Sequence, residues 1–294
     1  DIRPGEESNL FFESSINGIY PEDNEVEIAY SFTVNQTSGI YKKRLDDEKA
    51  EEVHVINSLD TEFGSGCLDA DSGILAVSVK RNDFNSDIAV FNMQNGDYKT
   101  VTDGDTLDDD PFVCPENGNI IYFSSRGVGR DARGAFVSYS PSAILKLDLS
   151  ELSVTEVKSS EKSGYFKPVM HGGKLYAIKV PLKEKGANPF IEILLIPFRI
   201  VQAVANFINV FVRAFTGKSL VSGGNNPAKQ REYDSRKEFV KGNLINAEKE
   251  MKKNSKKGGD YGFIPLSWQL VEVDSGEVIK SGIADYDVLS DGTI

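Results

Sequence analysis

The chain has 294 residues, with 33 Lys or Arg against 45 Asp or Glu and a formal net charge of −12. Hydrophobic residues make up 39% and aromatics 10%, which excludes wholesale disorder, while 26 Gly and 11 Pro without a repeat period exclude a collagen-like chain. An acidic balance of this size also excludes a nucleic-acid binder that works through a basic face. The opening DIRPGEESNLFF has neither the basic start nor the apolar run of a signal peptide. The closing DVLSDGTI stops inside what reads as another repeat, so a longer parent protein is expected.

From there the chain repeats one pattern: a Gly-containing turn, a short apolar strand, a second alternating strand, a tight turn and a third strand. A weak first copy is EDNEVEIAYSF at 22–32, continued by SGIYKKRLDDEKAEEVHVI. The second is DSGILAVSV at 71–79 followed by SDIAVFNMQNGDYKTVTDG, and the third is ENGNIIYFSS at 116–125 followed by SAILKLDLSELSVTEVKSS. The fourth is HGGKLYAIKV at 171–180, resumed after an interruption by SWQLVEVDSGEVIKSG; SDGTI at 290–294 opens a fifth. The aligned glycines are Gly73, Gly118, Gly173 and Gly292, separated by 45, 55 and 119 residues. About 40–45 residues is the usual length of a four-stranded propeller blade, so the last gap holds one repeat plus an insertion. Alternation in AILKLDL and WQLVEVD predicts one face in a core and one toward solvent. The Asx-Gly turns between such runs are hairpin signals.

The stretch 102–131, TDGDTLDDDPFVCPENGNIIYFSSRGVGRD, carries Asp109, Pro111, Phe112, Pro115, Gly118, Ser124 and Arg126 at the spacing Asp-x-Pro-Phe-x-x-Pro-x-x-Gly with a strand ending Ser-x-Arg. In this it resembles the repeats of TolB-like (PD40, WD40-like) β-propellers. Cys114 stands where that pattern has Ser and Asn117 where it has Asp; CLDADSG lacks the Pro, and FKPVMHGG keeps Pro168 without the acidic turn. The resemblance covers about 20–182 and 263–294 and implies an all-β propeller fragment of about four blades with the start of a fifth. The family includes periplasmic TolB and the propellers of prolyl-oligopeptidase-like peptidases, so it implies a fold before an activity.

Residues 183–262 break the pattern between the second and third strands of the fourth blade, dividing the chain into 1–182, 183–262 and 263–294. Asn188-Pro189 reads as an N-cap followed by Pro at the first helical position. Over 190–215, nineteen of twenty-six residues are apolar. The exceptions Glu192, Pro197, Arg199, Gln202, Asn206, Asn209 and Arg213 form one narrow polar stripe on a helix expected over about 189–215, with a kink at Pro197. Its apolar face comprises Phe190, Ile191, Ile193, Leu194, Leu195, Ile196, Phe198, Ile200, Val201, Val204, Phe207, Ile208, Val210, Phe211, Val212 and Phe215. A second, charged helix is expected over about 227–253, running into the basic Lys252, Lys253, Lys256 and Lys257. The insertion holds fifteen Lys or Arg and eight Asp or Glu, a net of +7, which leaves −19 for the rest of the chain. Burying a dozen large side chains at about 1.5–3 kcal/mol each is too much to forgo, so the face needs a cover. An anionic membrane surface ranks first, ahead of a protein partner or a second copy, a fold back onto the propeller, and a transmembrane span burdened by its polar stripe.

Candidates for chemistry are few. Asp103, Asp105, Asp108, Asp109 and Asp110 are weak metal candidates, without the glycine and closing Glu of an EF-hand loop. RGVGRDARG at 126–134 lacks the Lys-Ser/Thr ending of a phosphate loop and reads as a rim hairpin whose Arg126, Arg130 and Arg133 face a partner. Cys67 and Cys114 show no metal spacing, His54 and His171 lie far apart, and no GxSxG elbow occurs in the chain. The expectation is therefore a non-catalytic scaffold or binding module with no cofactor. It would sit at the bacterial cell envelope or periplasm, docked on a membrane by the insertion and engaging a protein partner. The alternatives are the propeller of a peptidase whose catalytic domain lies outside these residues, and a scaffold that self-associates through the apolar helix.

Overall fold

The computed structural model describes residues 14–21, 26–35, 37–47, 49–81, 84–182, 237–240, 243–256, 262–288 and 292–294. Sixteen of its nineteen described strands fall into four antiparallel meanders of four. The first blade is β1 (Ser14–Pro21), β2 (Glu27–Val34), β3 (Thr37–Arg44) and β4 (Val53–Ser58), paired in that order. The second is β5 (Glu62–Asp69), β6 (Ile74–Lys80), β7 (Ser86–Asn92) and the short β8 (Tyr98–Thr100). In the third, β9 (Thr106–Val113) and β10 (Ile120–Arg130) are followed by a side hairpin strand, β11 (Phe136–Tyr139), which pairs with the far end of β10. The blade is then completed by β12 (Ala143–Asp148) and β13 (Ser153–Lys158). The fourth blade opens with β14 (Ser163–His171) and β15 (Lys174–Pro181). Within the insertion come β16 (Lys237–Val240), β17 (Asn243–Asn246) and the helix α1 (Ala247–Ser255). The blade is then completed by β18 (Gln269–Glu272) and β19 (Val278–Ser281).

The first strands of successive blades lie against one another, β1 on β5, β5 on β9 and β9 on β14, so the blades radiate from a common axis. The architecture is an all-β propeller. Blades two and three also share a hydrogen-bonded ladder, through one parallel step between Ser86 of β7 and Leu107 of β9. The third and fourth strands of blades two and four are joined by turns at Gly96 and Gly276. Their φ values of 77° and 72° lie where only glycine is unstrained, and their N–H groups close the turns on the Asn92 and Glu272 carbonyls at 2.8 and 2.9 Å.

The core lies between blades. Tyr20, Ile40, Phe63, Leu75, Val77 and Phe91 fill the layer between blades one and two. Ala76, Ile88, Val113, Ile121, Phe123 and Leu147 fill the next, and Ile144, Tyr165, Leu175, Ala177, Val271 and Val273 the third. The alternation in AILKLDL was expected to leave one face in water. Instead Ile144 joins the layer toward blade four while Leu147 joins the layer toward blade two, both fully buried. A blade flanked on both sides buries both faces, and alternation there sorts side chains between two cores.

The charged helix expected over 227–253 is also corrected. Within the described residues, β16 and β17 pair as an antiparallel hairpin, and only Ala247–Ser255 is helical. Asn246 explains the late start. It is extended, at φ −84° and ψ 98°, and its side chain accepts the Lys249 N–H at 2.9 Å as an N-cap. The apolar helix expected over 189–215, with Phe190, Phe198, Phe211 and the other residues of its face, lies outside the described residues, as does Lys257.

Candidate functional site

The inner strands are irregular at one common level. Pairing with the second strand slips between Ile16 and Gly18 in β1, between Phe63 and Gly66 in β5, opposite Tyr122–Ser124 in β9, and between Phe166 and Val169 in β14. Such bulges re-aim side chains and are enriched beside functional sites. Two of the bulge residues, Asp110 and Lys167, are held at φ 51° and 48°, each immediately before a proline. The bulges are also where neighbouring blades are tied together. Tyr20 donates its hydroxyl to the Gly64 carbonyl at 2.5 Å. Ser65 donates to Asp109 and accepts the Asp110 N–H at 3.0 Å. Tyr286 donates to the Lys167 carbonyl at 2.8 Å, and the Lys167 ammonium pairs with Asp285.

A second set of polar groups joins blades two and three at the ends of β6, β7 and β10. Arg81 places its Nε 2.6 Å from Asp87 Oδ2, pairs with Asp103 at 2.5 Å through another nitrogen, and donates to the Gly104 carbonyl. Arg130 forks onto Asp105 with two contacts of 2.7 Å and reaches the Asn85 side-chain oxygen at 3.1 Å. Ser125 donates to Asp108 at 2.6 Å, and Ser86 to the Asp108 carbonyl at 2.7 Å. Burial pushes the Asp87 carboxyl up to about 8 despite Arg81, with Asp108 and Asp103 adding to the rise. Burial likewise raises Asp108, against the hydrogen bonds that Ser125, Thr102 and Thr106 donate. For Asp105, burial is outweighed by the donors of Arg130 and Asn85, which hold the carboxyl below its ordinary range.

The five aspartates singled out from the sequence therefore go to separate partners: Asp103 to Arg81, Asp105 to Arg130, Asp108 to Ser125, Asp109 to Ser65, and Asp110 to Ser124 at 3.5 Å. Among the described residues no group of three potential metal ligands gathers. Cys67 and Cys114 are both free thiols, and burial raises that of Cys114. Of the three loop arginines, Arg130 is held in the seam, Arg133 is exposed in the hairpin turn, and Arg126 is half-buried beside blade four.

The hairpin that carries them folds over blade two. Phe136 stacks on Phe84 with centroids 4.4 Å apart and planes 8° from parallel, Tyr139 donates to the Phe84 carbonyl at 3.0 Å, and Arg126 lies over the Tyr139 ring at 4.9 Å. Sequence reasoning missed Arg81, Asp87, Tyr20, Phe84 and Tyr139. Their only sequence signal is position, at the ends of strands or in the loops that join them.

The insertion's base packs on the far side of blade four. Ile245 is buried with Phe166, Ile178, Val180 and Trp268, and Val240, Phe263, Ile264, Ile283 and Tyr286 pack around them. Asn254, the buried residue of α1, donates through one amide nitrogen to the carbonyls of Gly262 and Ile264 at 3.1 and 2.9 Å. The helix thereby presents Lys249, Lys252, Lys253 and Lys256 to solvent, with Lys252 and Lys253 also pairing with Glu248 and Glu250. No described helix is long and apolar enough to cross a membrane.

No family model matches the chain, and no curated protein matches it. Among solved structures it is similar to TolB from Acinetobacter baumannii, at 16% identity over 60% of this chain and 39% of that one, with a TM-score of 0.41. It is similar to a putative TolB from Agrobacterium tumefaciens, at 16% identity over 49% and 48% of the two chains, with a TM-score of 0.37. A third is the acylaminoacyl peptidase of Pyrococcus horikoshii, at 12% identity over 60% and 30%, with a TM-score of 0.41. The chain spans less than half the length of each of these. What the strand order itself establishes is a run of four antiparallel four-stranded blades set about one axis.

Proposed function

We propose that this propeller is a non-catalytic binding scaffold of the cell envelope that docks on an anionic membrane surface through the insertion in its fourth blade. The observation that carries the reading is the mounting of the insertion. Ile245 packs its base against blade four, Asn254 ties α1 to the returning chain at Gly262 and Ile264, and Lys249, Lys252 and Lys253 of α1 point outward together with Lys256 at its cap. The same insertion carries in its sequence the segment 190–215, whose apolar stripe as a helix would be wide enough to enter a lipid interface. Each lysine near an anionic surface is worth about 1 kcal/mol. A binding rather than catalytic role is supported by how the buried acids are used. Asp87 and Asp108 are committed to Arg81 and Ser125 within their own blades, and Asp105 is committed to Arg130 and, across the seam, to Asn85 at 2.9 Å.

The test is flotation of the full chain with vesicles, anionic against zwitterionic. It is compared with a variant lacking 188–220 and with a variant carrying Lys252→Glu, Lys253→Glu and Lys256→Glu. Wild type floats with anionic vesicles, the deletion stays in the dense fraction, and the charge variant floats weakly. Equal flotation of wild type and deletion would overturn the reading. Vesicle-independent oligomers that vanish on deletion would replace it with self-association.

A further inference from the structure

Arg126 closes the Ser124-Ser125-Arg126 run of β10, on the face that meets blade four. Its guanidinium carbon lies 4.9 Å from the Tyr139 ring centroid and 5.5 Å from that of Phe166. Arg44, Arg81 and Arg130 each hold a carboxylate. Among the described residues, the half-buried Arg126 makes no ion pair and its guanidinium donates no hydrogen bond. Register explains the difference. In blade two the corresponding cation, Lys80, stands directly opposite Glu62 and pairs with it at 3.0 Å. In blade three the residue directly opposite Arg126 is Leu107, which offers no charge.

The nearest acids are already occupied. Asp109 accepts from Ser65 and from the Asp110 N–H at 2.9 Å, and Asp110 faces Ser124 at 3.5 Å. Burial disfavours the charged guanidinium more than these acids favour it, and neither of them pairs with it. A guanidinium has five N–H donors in a planar fork, and leaving them unmet in a half-buried place is costly. Rings alongside its faces leave the edge of the fork free.

We propose that Arg126, walled by Tyr139 and Phe166, is a receptor for a peptide carboxylate at the seam between blades three and four. A carboxylate matches the fork bidentately and is flat enough for a site bordered by rings. It also carries a single charge, whereas a phosphate dianion would meet twice the repulsion from Asp109 and Asp110. The site lies in the propeller and does not depend on the membrane reading.

The test titrates the full chain with four probes: an acetylated dipeptide with a free C-terminal carboxylate, the same dipeptide as its amide, acetyl-aspartate amide, and inorganic phosphate. The readouts are the Arg126 Nε–H resonance and the fluorescence of Trp268, the sole tryptophan, which packs in the same cluster as Phe166. The two carboxylate probes move both signals saturably in the millimolar range and the amide does not; the tighter of the two identifies a terminal or a side-chain carboxylate as the source. Arg126→Met weakens binding by about tenfold or more, and Arg126→Lys, which keeps the charge and loses the fork, weakens it several-fold. If Arg126→Met fails to fold, Arg126→Lys decides. The proposal is overturned if no carboxylate shifts the Nε–H signal up to about 50 mM, beyond the weakest affinity worth calling a site. It is equally overturned if the amide binds as well, if phosphate binds tighter than both carboxylates, or if the decisive variant binds like wild type.

Discussion

Asp87 Oδ2 lies 2.6 Å from Arg81 Nε, while Asp87 Oδ1, sealed between blades two and three, meets no donor. Half of this carboxylate is paired and half is stranded, so burial outweighs the ion pair and the carboxyl is pushed up to about 8. An unfolded aspartate titrates near 3.9. Between those values the folded chain holds a proton that the unfolded chain has released. Stability therefore falls as pH rises from about 4 to about 8 and levels off above that. Asp87→Asn removes this contribution. Urea midpoints at pH 5, 7 and 9 should fall less steeply for the variant than for wild type. Asp108, raised in the same sense, keeps its burial in the variant, so parallel curves would refute the assignment to Asp87.

Tyr20 is fully buried and its hydroxyl serves both the Gly64 carbonyl and the Ser31 hydroxyl, the latter at 2.9 Å. Tyr20→Phe keeps the ring in the first interblade layer and leaves the Gly64 carbonyl only the long contact from the Ser31 hydroxyl at 3.4 Å. The expected loss is about 0.5–1.5 kcal/mol, the net worth of one buried hydrogen bond. Denaturant unfolding with an unchanged m-value checks it.

A Cβ at Gly66 would stand 2.7 Å from the Ala76 carbonyl oxygen and 2.8 Å from the Tyr20 ring. Gly66→Ala must displace backbone or a packed ring, so a loss of about 1–3 kcal/mol is expected from overpacking. Gly96, whose Cβ would meet open space, makes a control in which strain comes from φ alone. Thermal melts of the two variants separate contact from conformation.

Asn254→Ala cuts both hydrogen bonds from α1 to the returning chain at Gly262 and Ile264. Amide exchange over 247–256 should speed up by at least about tenfold, while the strands of blades one to three keep their protection. Unchanged exchange in α1 would mean that Ile245 alone holds the helix base.

Much of the propeller was legible because each blade is local: Gly73, Gly118 and Gly173 mark turns that need only their neighbours, and SAILKLDL or SWQLVEVD declares a strand within eight residues. The hairpin of β16 and β17 was not, since a short charged stretch with a thin apolar stripe fits a helix as well, and only burial of Ile245 against Trp268 decides. The seam was illegible for another reason. Arg130 and Asp105 are 25 residues apart and Arg130 and Asn85 are 45 apart, with no motif linking them until strand register brings them together. The aspartate run was visible, but its meaning was not. Five carboxylates within eight residues suggest a cation, whereas Asp103 and Asp105, ahead of β9, are taken by Arg81 and Arg130, and the bulge in β9 sets Asp110 apart from Asp108 and Asp109.

The step from Ser86 to Leu107 makes the second and third blades one continuous sheet, while the joint to blade one is packed by side chains and the joint to blade four adds one backbone bond, from the Tyr165 N–H to the Ser142 carbonyl at 2.9 Å. A wheel built this way has a welded pair of spokes. Under heat or tension, residues 62–158 should hold together as a single block, and the first crack should open along the joint beyond Ser58.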